Sequence, residues 1–194
     1  QGDWSSDVCS SDLLLEPPER PPSGLLVIPT WRDWLNRAET FHESEFLERW
    51  RAFLTAEPMR RAVAEGLPVT VILHPNMRFY SSALEVDGIT VLEQGDEDVQ
   101  TLMRTHAAMV TDYSSVGFDF SFQGRPVFYH QFDRDRFLGS RPSHLDLDLD
   151  LPGEVFFNVD RLVEAVLESW RAGFPQRAEH ARRRDLFLAP TRES

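Results

Sequence analysis

The sequence predicts an α/β domain built on a Rossmann-like, mainly parallel sheet flanked by helices. Three observations carry this. Short apolar or β-branched runs of strand length recur along the chain, and stretches with helical spacing stand between them. The residues with useful chemistry fall just after the runs, where a parallel sheet binds its ligands. At 194 residues and 41% hydrophobic, the chain suffices for one sizeable domain, or a domain with a small extension.

The elements follow in order. "DWSSDVCSSDL" (Asp3–Leu13) looks like one reading frame of a short sequencing adapter, so residues 1–13 are set aside from the fold. On that reading the sole cysteine, Cys9, belongs to the scar, and no disulfide or cysteine–metal site follows. The sequence is then expected to be a piece of a longer protein. Residues 14–23 form a Pro-rich linker, within "EPPERPPSG". "LLVIPTW" from Leu25 reads as a buried strand closed by Pro29. Phe46, Leu47, Trp50, Phe53 and Leu54 predict a helix within 43–65, with Ser44 as its cap and Pro58 as a break or kink. "LPVTVILHP" and "GITVLEQG" are the second and third strands. Val99–His106 reads as a helix, "AAMVTDY" as the fourth strand, Val116–Gln123 as a helix and "RPVFYH" as the fifth strand. Asp160–Arg171 is amphipathic, with Leu162, Val163, Val166, Leu167 and Trp170 on one side. The domain is expected to span 24–188, with 189–194 as a tail.

Charge narrows the function classes. The formal net charge is −12; leaving out Asp3, Asp7 and Asp12 brings it to about −9. No basic stripe is present, so no nucleic-acid partner is expected. All 20 basic residues are arginine. Without lysine, a P-loop and Schiff-base chemistry are excluded. No apolar run is long enough to span a bilayer. The alternating Asp146, Asp148 and Asp150 of "HLDLDLDLP" suit a half-exposed strand or extended segment better than a metal site, and no metal or cofactor is expected.

The densest chemistry lies in "HAAMVTDYSSVGFDFSFQGRPVFYH" (His106–His130). Ser114 and Ser115 are expected at the N-cap and first position of the following helix. Unpaired N–H groups, a partial positive charge and two hydroxyls there make a cradle for phosphate. The plainer alternative is that Ser114 merely caps the helix. Asp119, one turn on, suits ribose hydroxyls or an acceptor; its plainer role is to complement the helix dipole. Asp112 serves to fix the turn. His74 ends the second strand and titrates near neutrality, which suits proton transfer or a phosphate contact. It equally suits a strand-end histidine bonded to backbone. Thr30 and Arg32 follow the first strand, where a guanidinium can clamp a diphosphate; the alternative is a surface ion pair between Arg32 and Asp33. Arg125 is read as structural, and Tyr129 and His130 as lining the sheet edge.

"VTDYSSVGFDFSFQGRPVFYHQFD" resembles the CDP-glycerol glycerophosphotransferases of teichoic-acid synthesis, whose pattern is T-D-Y-S-S, then F-D, then a G-[KR]-P strand. "IPTWRD" (Ile28–Asp33), "LHPN" (Leu73–Asn76) and "DLPGEVFFNVDRLVEAV" match further segments of that family in the same order. The likeness covers roughly residues 24–188. It implies the C-terminal, nucleotide-binding domain of a GT-B architecture, with a cleft between two Rossmann-type domains. It also implies transfer of glycerol phosphate, or a related polyol phosphate, from a CDP-activated donor to a hydroxyl of a polymer or primer, releasing CMP. The implied partners are CDP-glycerol or a related CDP-polyol, a polyol-phosphate polymer or lipid-linked acceptor, and an N-terminal domain of the same protein. The implied location is the cytoplasm, peripheral on the inner face of the bacterial membrane. His74 becomes the catalytic candidate, while Thr30, Arg32, Ser114, Ser115 and Asp119 become substrate-binding candidates. The family's upstream W-H-G segment, with a second histidine, is absent from this sequence. "FLAPTRES" does not match the family's tail.

Two other readings compete: a non-catalytic Rossmann-like binding or regulatory module, and a sugar-nucleotide GT-B glycosyltransferase. The enzyme reading expects Thr30, Arg32, His74, Ser114 and Asp119 to converge on one cleft at the strands' carboxyl ends; the module reading expects them to scatter.

Overall fold

Leu25–Ile28 (β1) is buried along its whole length. A strand covered on both faces has no reason to alternate, which explains the unbroken run "LLVI". Burying each such side chain is worth about 1.5–3 kcal/mol. In this computed structural model, which describes residues 20–93 and 95–188, β1 lies inside a parallel sheet. The adapter-like start, most of the Pro-rich linker, Gln94 and the tail lie outside the described residues.

The partners of β1 are Val69–Leu73 (β2) on one side and Ala108–Thr111 (β4) on the other. Thr90–Glu93 (β3) extends the sheet beyond β2. Val127–His130 (β5) and Glu154–Phe156 (β6) extend it beyond β4. The order is β3-β2-β1-β4-β5-β6, every pairing parallel. Strand order therefore reverses between β1 and β4, the place where open α/β sheets leave a crevice. The strand β6 was not foreseen: three residues of "EVF" are too short to show a period.

One face carries Ala38–His42 (α1), Glu45–Thr55 (α2), Glu57–Ala64 (α3) and Val159–Arg171 (α7), with Phe41, Trp50, Phe53, Leu162 and Val166 buried against the sheet. The other carries Val99–Thr105 (α4) and Val116–Ser121 (α5), through Leu102, Met103, Val116 and Phe120. Arg134–Ser140 (α6) follows β5, and Ala178–Leu188 (α8) packs beside α5. Ser44 caps α2 as expected, its hydroxyl accepting from Leu47 N at 3.1 Å. Pro58 breaks the expected long helix rather than kinking it. Ala56 turns extended (ψ 133°), and Pro58 enters the first turn of α3, where its missing N–H costs nothing.

Gly24, just before β1, has φ +80°, and a Cβ there would lie 2.6 Å from the Pro68 carbonyl oxygen. That carbonyl accepts from Leu25 N, so a side chain would push β1 off β2.

Two expectations need correcting. Tyr129 and His130 do not line an edge: both are fully buried, because β6 covers the outer side of β5. The aspartate-alternating stretch is not extended. Asp146 folds it back, its carboxylate accepting from Asp148 N (3.0 Å) while its carbonyl accepts from Asp150 N (2.8 Å). Asp side chains bond readily to backbone two residues on, and that local chemistry overrides the alternation.

Candidate functional site

The loops after β1, β4 and β5 meet at the carboxyl edge of the sheet, where a buried charge cluster ties them together, and the loop after β2 joins them through the Trp31–His74 stack. Asp112, at the end of β4, has no exposed surface. Its Oδ1 accepts from Thr30 N (2.9 Å) and Tyr113 N (2.8 Å), and its Oδ2 from Arg32 Nη2 (2.9 Å). One carboxylate thereby closes the gap between β1 and β4. Arg32 also donates through Nε and Nη2 to Asp133 (2.8 and 3.0 Å) and through Nη1 to the Thr30 carbonyl (2.6 Å). Tyr113 adds its hydroxyl to Asp133 at 3.0 Å and stacks on Phe137 with centroids 3.8 Å apart. The rings of Tyr113, Phe137 and Phe46 stand 4.9–5.2 Å from the Arg32 guanidinium carbon. Gln131 completes the knot, donating to the Asp112 carbonyl and accepting from Arg134 Nε, both at 2.9 Å.

Burial works against the Arg32 charge, but the Asp112 and Asp133 carboxylates outweigh it and raise its proton affinity. Burial raises the Asp112 carboxyl, with Arg32 opposing. The diphosphate clamp expected of Arg32 is therefore corrected. The side chain is 1% exposed, and its donors serve carboxylates and a carbonyl inside the protein. Nor does it pair with Asp33, which lies 3.6 Å from Arg141 instead. Thr30 belongs to the same framework: its N–H is spent on Asp112 and its hydroxyl oxygen is buried. The opening letters "TWRD" and "TDY" are thus two halves of one internal lock. Sequence spacing could not show this, because the partners lie 80 and 101 residues from Arg32.

Beside the lock stand Ser114, Ser115 and Asp119, which keep exposed or partly exposed surface. Ser115, not Ser114, takes the N-cap position of α5, one residue later than expected, and its own φ and ψ (−61°, −22°) are helical. Its hydroxyl makes no cap bond and it is exposed. Ser114 is half-buried, and its hydroxyl accepts a long bond from Val116 N at 3.4 Å. Capping therefore does not use up the pair. Behind them lies a cavity of about 150 Å³ walled by Tyr113, Phe118, Phe137 and Leu151, with the Tyr129 hydroxyl buried against it. Asp119 follows Ser115 by one turn, half-buried, and burial raises its carboxyl.

His74 leaves β2 two strands away from Ser114, roughly 10 Å by strand spacing. It is 8% exposed and stacks on Trp31 at 5.8 Å. Its Nδ1 accepts from Asn76 N at 3.1 Å, which leaves the proton on Nε2. Burial, and then the Arg141 guanidinium, lower its pKa to about 4. His74 is thus a neutral imidazole at pH 7: a hydrogen-bond donor through Nε2 and a weak base. Arg125 is structural as expected, donating to the carbonyls of Met103, Arg104 and His106 at 2.7–2.9 Å.

Among the described residues, no three His, Cys, Asp or Glu side chains are grouped to hold a metal ion, and no helix is long and apolar enough to cross a membrane. A six-stranded parallel sheet among those residues, with helices on both faces and its order reversing between β1 and β4, defines a Rossmann-like α/β domain. The chain belongs to the CDP-glycerol:poly(glycerophosphate) glycerophosphotransferase family, whose model matches residues 20–189. It is 25% identical over 179 residues to the minor teichoic acid biosynthesis protein GgaB of Bacillus subtilis strain 168, covering 86% of this chain and 20% of that protein. It is 28% identical over 146 residues to a teichoic acid glycerol-phosphate transferase of Staphylococcus aureus strain NCTC 8325 / PS 47, covering 73% of this chain and 35% of that one. The solved wall teichoic acid polymerase TagF superposes with a TM-score of 0.64 at 21% identity, over 92% of this chain and 41% of that chain. The chain therefore spans between a fifth and two fifths of the lengths of these relatives.

Proposed function

We propose that this chain is the donor-binding domain of a transferase that moves glycerol phosphate, or a related polyol phosphate, from a CDP-activated donor to a hydroxyl of a growing polyol-phosphate polymer. The observation that carries the reading is the serine pair that internal capping leaves available at the order reversal, with the buried His74 imidazole across it. Ser114 and Ser115 stand on the β4 side and His74 on the β2 side, all beside one rigid lock.

The attacking hydroxyl oxygen forms a bond to the phosphorus that carries glycerol, the bond to the bridging oxygen breaks, and CMP departs with the extra charge. Hydroxyls of Ser114 and Ser115 and the Nε2–H of His74 donate to phosphate oxygens as that charge grows. Neither serine hydroxyl is held by a strong internal bond, so both are available to the ligand. A histidine with a pKa of about 4 and an N–H on its outer nitrogen does not take the acceptor's proton. That task falls to a base contributed by the rest of the whole protein, across the cleft of a GT-B pair. Asp119 meets the ribose hydroxyls. The acceptor end of the polymer is lipid-linked, and the whole protein works at the inner face of the membrane.

Calorimetric titration with CDP-glycerol, CMP and UDP-glucose tests the donor. CDP-glycerol and CMP are expected to bind and UDP-glucose to bind more weakly. A preference for UDP-glucose would reject the cytidine donor in favour of a sugar-nucleotide transferase.

A further inference from the structure

With Arg32 locked below the edge, the crevice needs another cation. The lock itself sets one guanidinium against two carboxylates, so its residual charge opposes a diphosphate, and the chain has no lysine to offer. We propose that Arg141 is the guanidinium that meets the ligand's phosphate. The inference rests on the CDP-donor reading and adds a residue that lies outside every motif read from the sequence.

Arg141 caps the C-terminal end of α6, its N–H donating to the Phe137 carbonyl at 2.8 Å. Phe137 belongs to the wall of the Arg32 lock, so the backbone of Arg141 is fixed by the framework. Its side chain then lies over the Trp31 ring, with the guanidinium carbon 5.8 Å from the centroid, and Trp31 stacks on His74. An arginine on an aromatic face keeps its N–H edge outward while its plane is held, a preorganised fork for a phosphate. Its side chain is 48% exposed, and the Asp33 carboxylate beside it lies at 3.6 Å, too long for a strong bidentate pair. Burial first, and then the Arg141 guanidinium, lower the proton affinity of His74, which places the two groups near one another. Arg141 thus forms the half of a phosphate site that faces Trp31, and Ser114 and Ser115 form the β4-side half. Asp33 is the internal competitor that the phosphate displaces.

Calorimetry on the chain tests this, with CDP-glycerol, inorganic pyrophosphate and cytidine as probes. Arg141→Ala is expected to weaken CDP-glycerol and pyrophosphate by about 10- to 100-fold, the scale of a charge-assisted pair, and to leave cytidine unchanged. Arg141→Lys should recover part of the loss. Asp33→Asn should tighten CDP-glycerol about two- to threefold, and Arg49→Ala, an exposed arginine on α2, should change nothing. Thermal melting checks that the Arg141 variants keep the fold. If the parent chain binds CDP-glycerol and Arg141→Ala binds it equally well, this inference falls while the donor reading stands. If pyrophosphate binds through Arg141 but CDP-glycerol does not compete for it, the donor reading falls and the anion site stands. Failure of the parent chain to bind either probe overturns both.

Discussion

Two arginines near the same corner of the sheet behave in opposite ways. Arg32 is sealed under the carboxyl edge, bonded to Asp112 and Asp133 and walled by Phe46, Tyr113 and Phe137. Arg141 lies on the edge, half exposed, draped over Trp31 with one long ion pair. The first has every reason to be structural, since a buried charge with fixed partners gains nothing by moving. The second has a loose partner and an open side. Motif position favours Arg32 as the ligand contact; burial and bonding favour Arg141.

The largest expected effect breaks the buried member. Arg32→Leu leaves two carboxylates buried and facing each other, at a cost of about 3–5 kcal/mol. A fall in Tm of roughly 6–20 °C checks it. An Arg32→Leu chain as stable as the parent would dissolve the contrast.

The next effect concerns pH. His130 is fully buried against Trp50 and Phe132, and its pKa is lowered to about 4, burial being the main cause. Its folded value lies below the unfolded one, so the unfolded chain takes up the proton first. The neutral histidine's contribution is complete above about pH 6.5 and is lost as pH falls toward 4, worth about 3 kcal/mol over that range. His74 adds in the same direction. Melting curves from pH 7 to pH 4 should fall less steeply in His130→Phe than in the parent.

Smaller effects sharpen the exposed member. Ser114→Ala with Ser115→Ala should weaken CDP-glycerol about tenfold while moving stability by less than about 0.5 kcal/mol, since neither hydroxyl holds a strong internal bond. Unchanged affinity would remove the hydroxyl cradle. The smallest change is expected at Asp119. CMP should outbind 2′-deoxy-CMP about threefold in the parent chain, and Asp119→Ala should erase the difference.

Much of the fold was legible. An unbroken apolar run gave β1, β-branched and apolar runs gave β2 and β4, and the apolar spacing of α2 and α7 matched their buried faces. What escaped was local or long-range. The Asp146 turn is decided by side-chain-to-backbone bonds that mimic no period, and β6 is too short to have one. At the site, the serine pair and His74 were visible because they follow strands directly. The true partners of Arg32 were hidden by 80 and 101 residues of separation, and Arg141 by its place at the end of an unremarked helix.

The Asp112 carboxylate has a consequence for dynamics. It holds the exits of β1 and β4 through a single group, and Arg32 carries the linkage on to β5. Amides at these three exits have no independent way to open, so they should exchange with solvent only when the whole sheet comes apart. Isotope labelling would then find the slowest-exchanging amides directly beneath the exposed serine pair, in place of the loose loops that surface crevices often keep there.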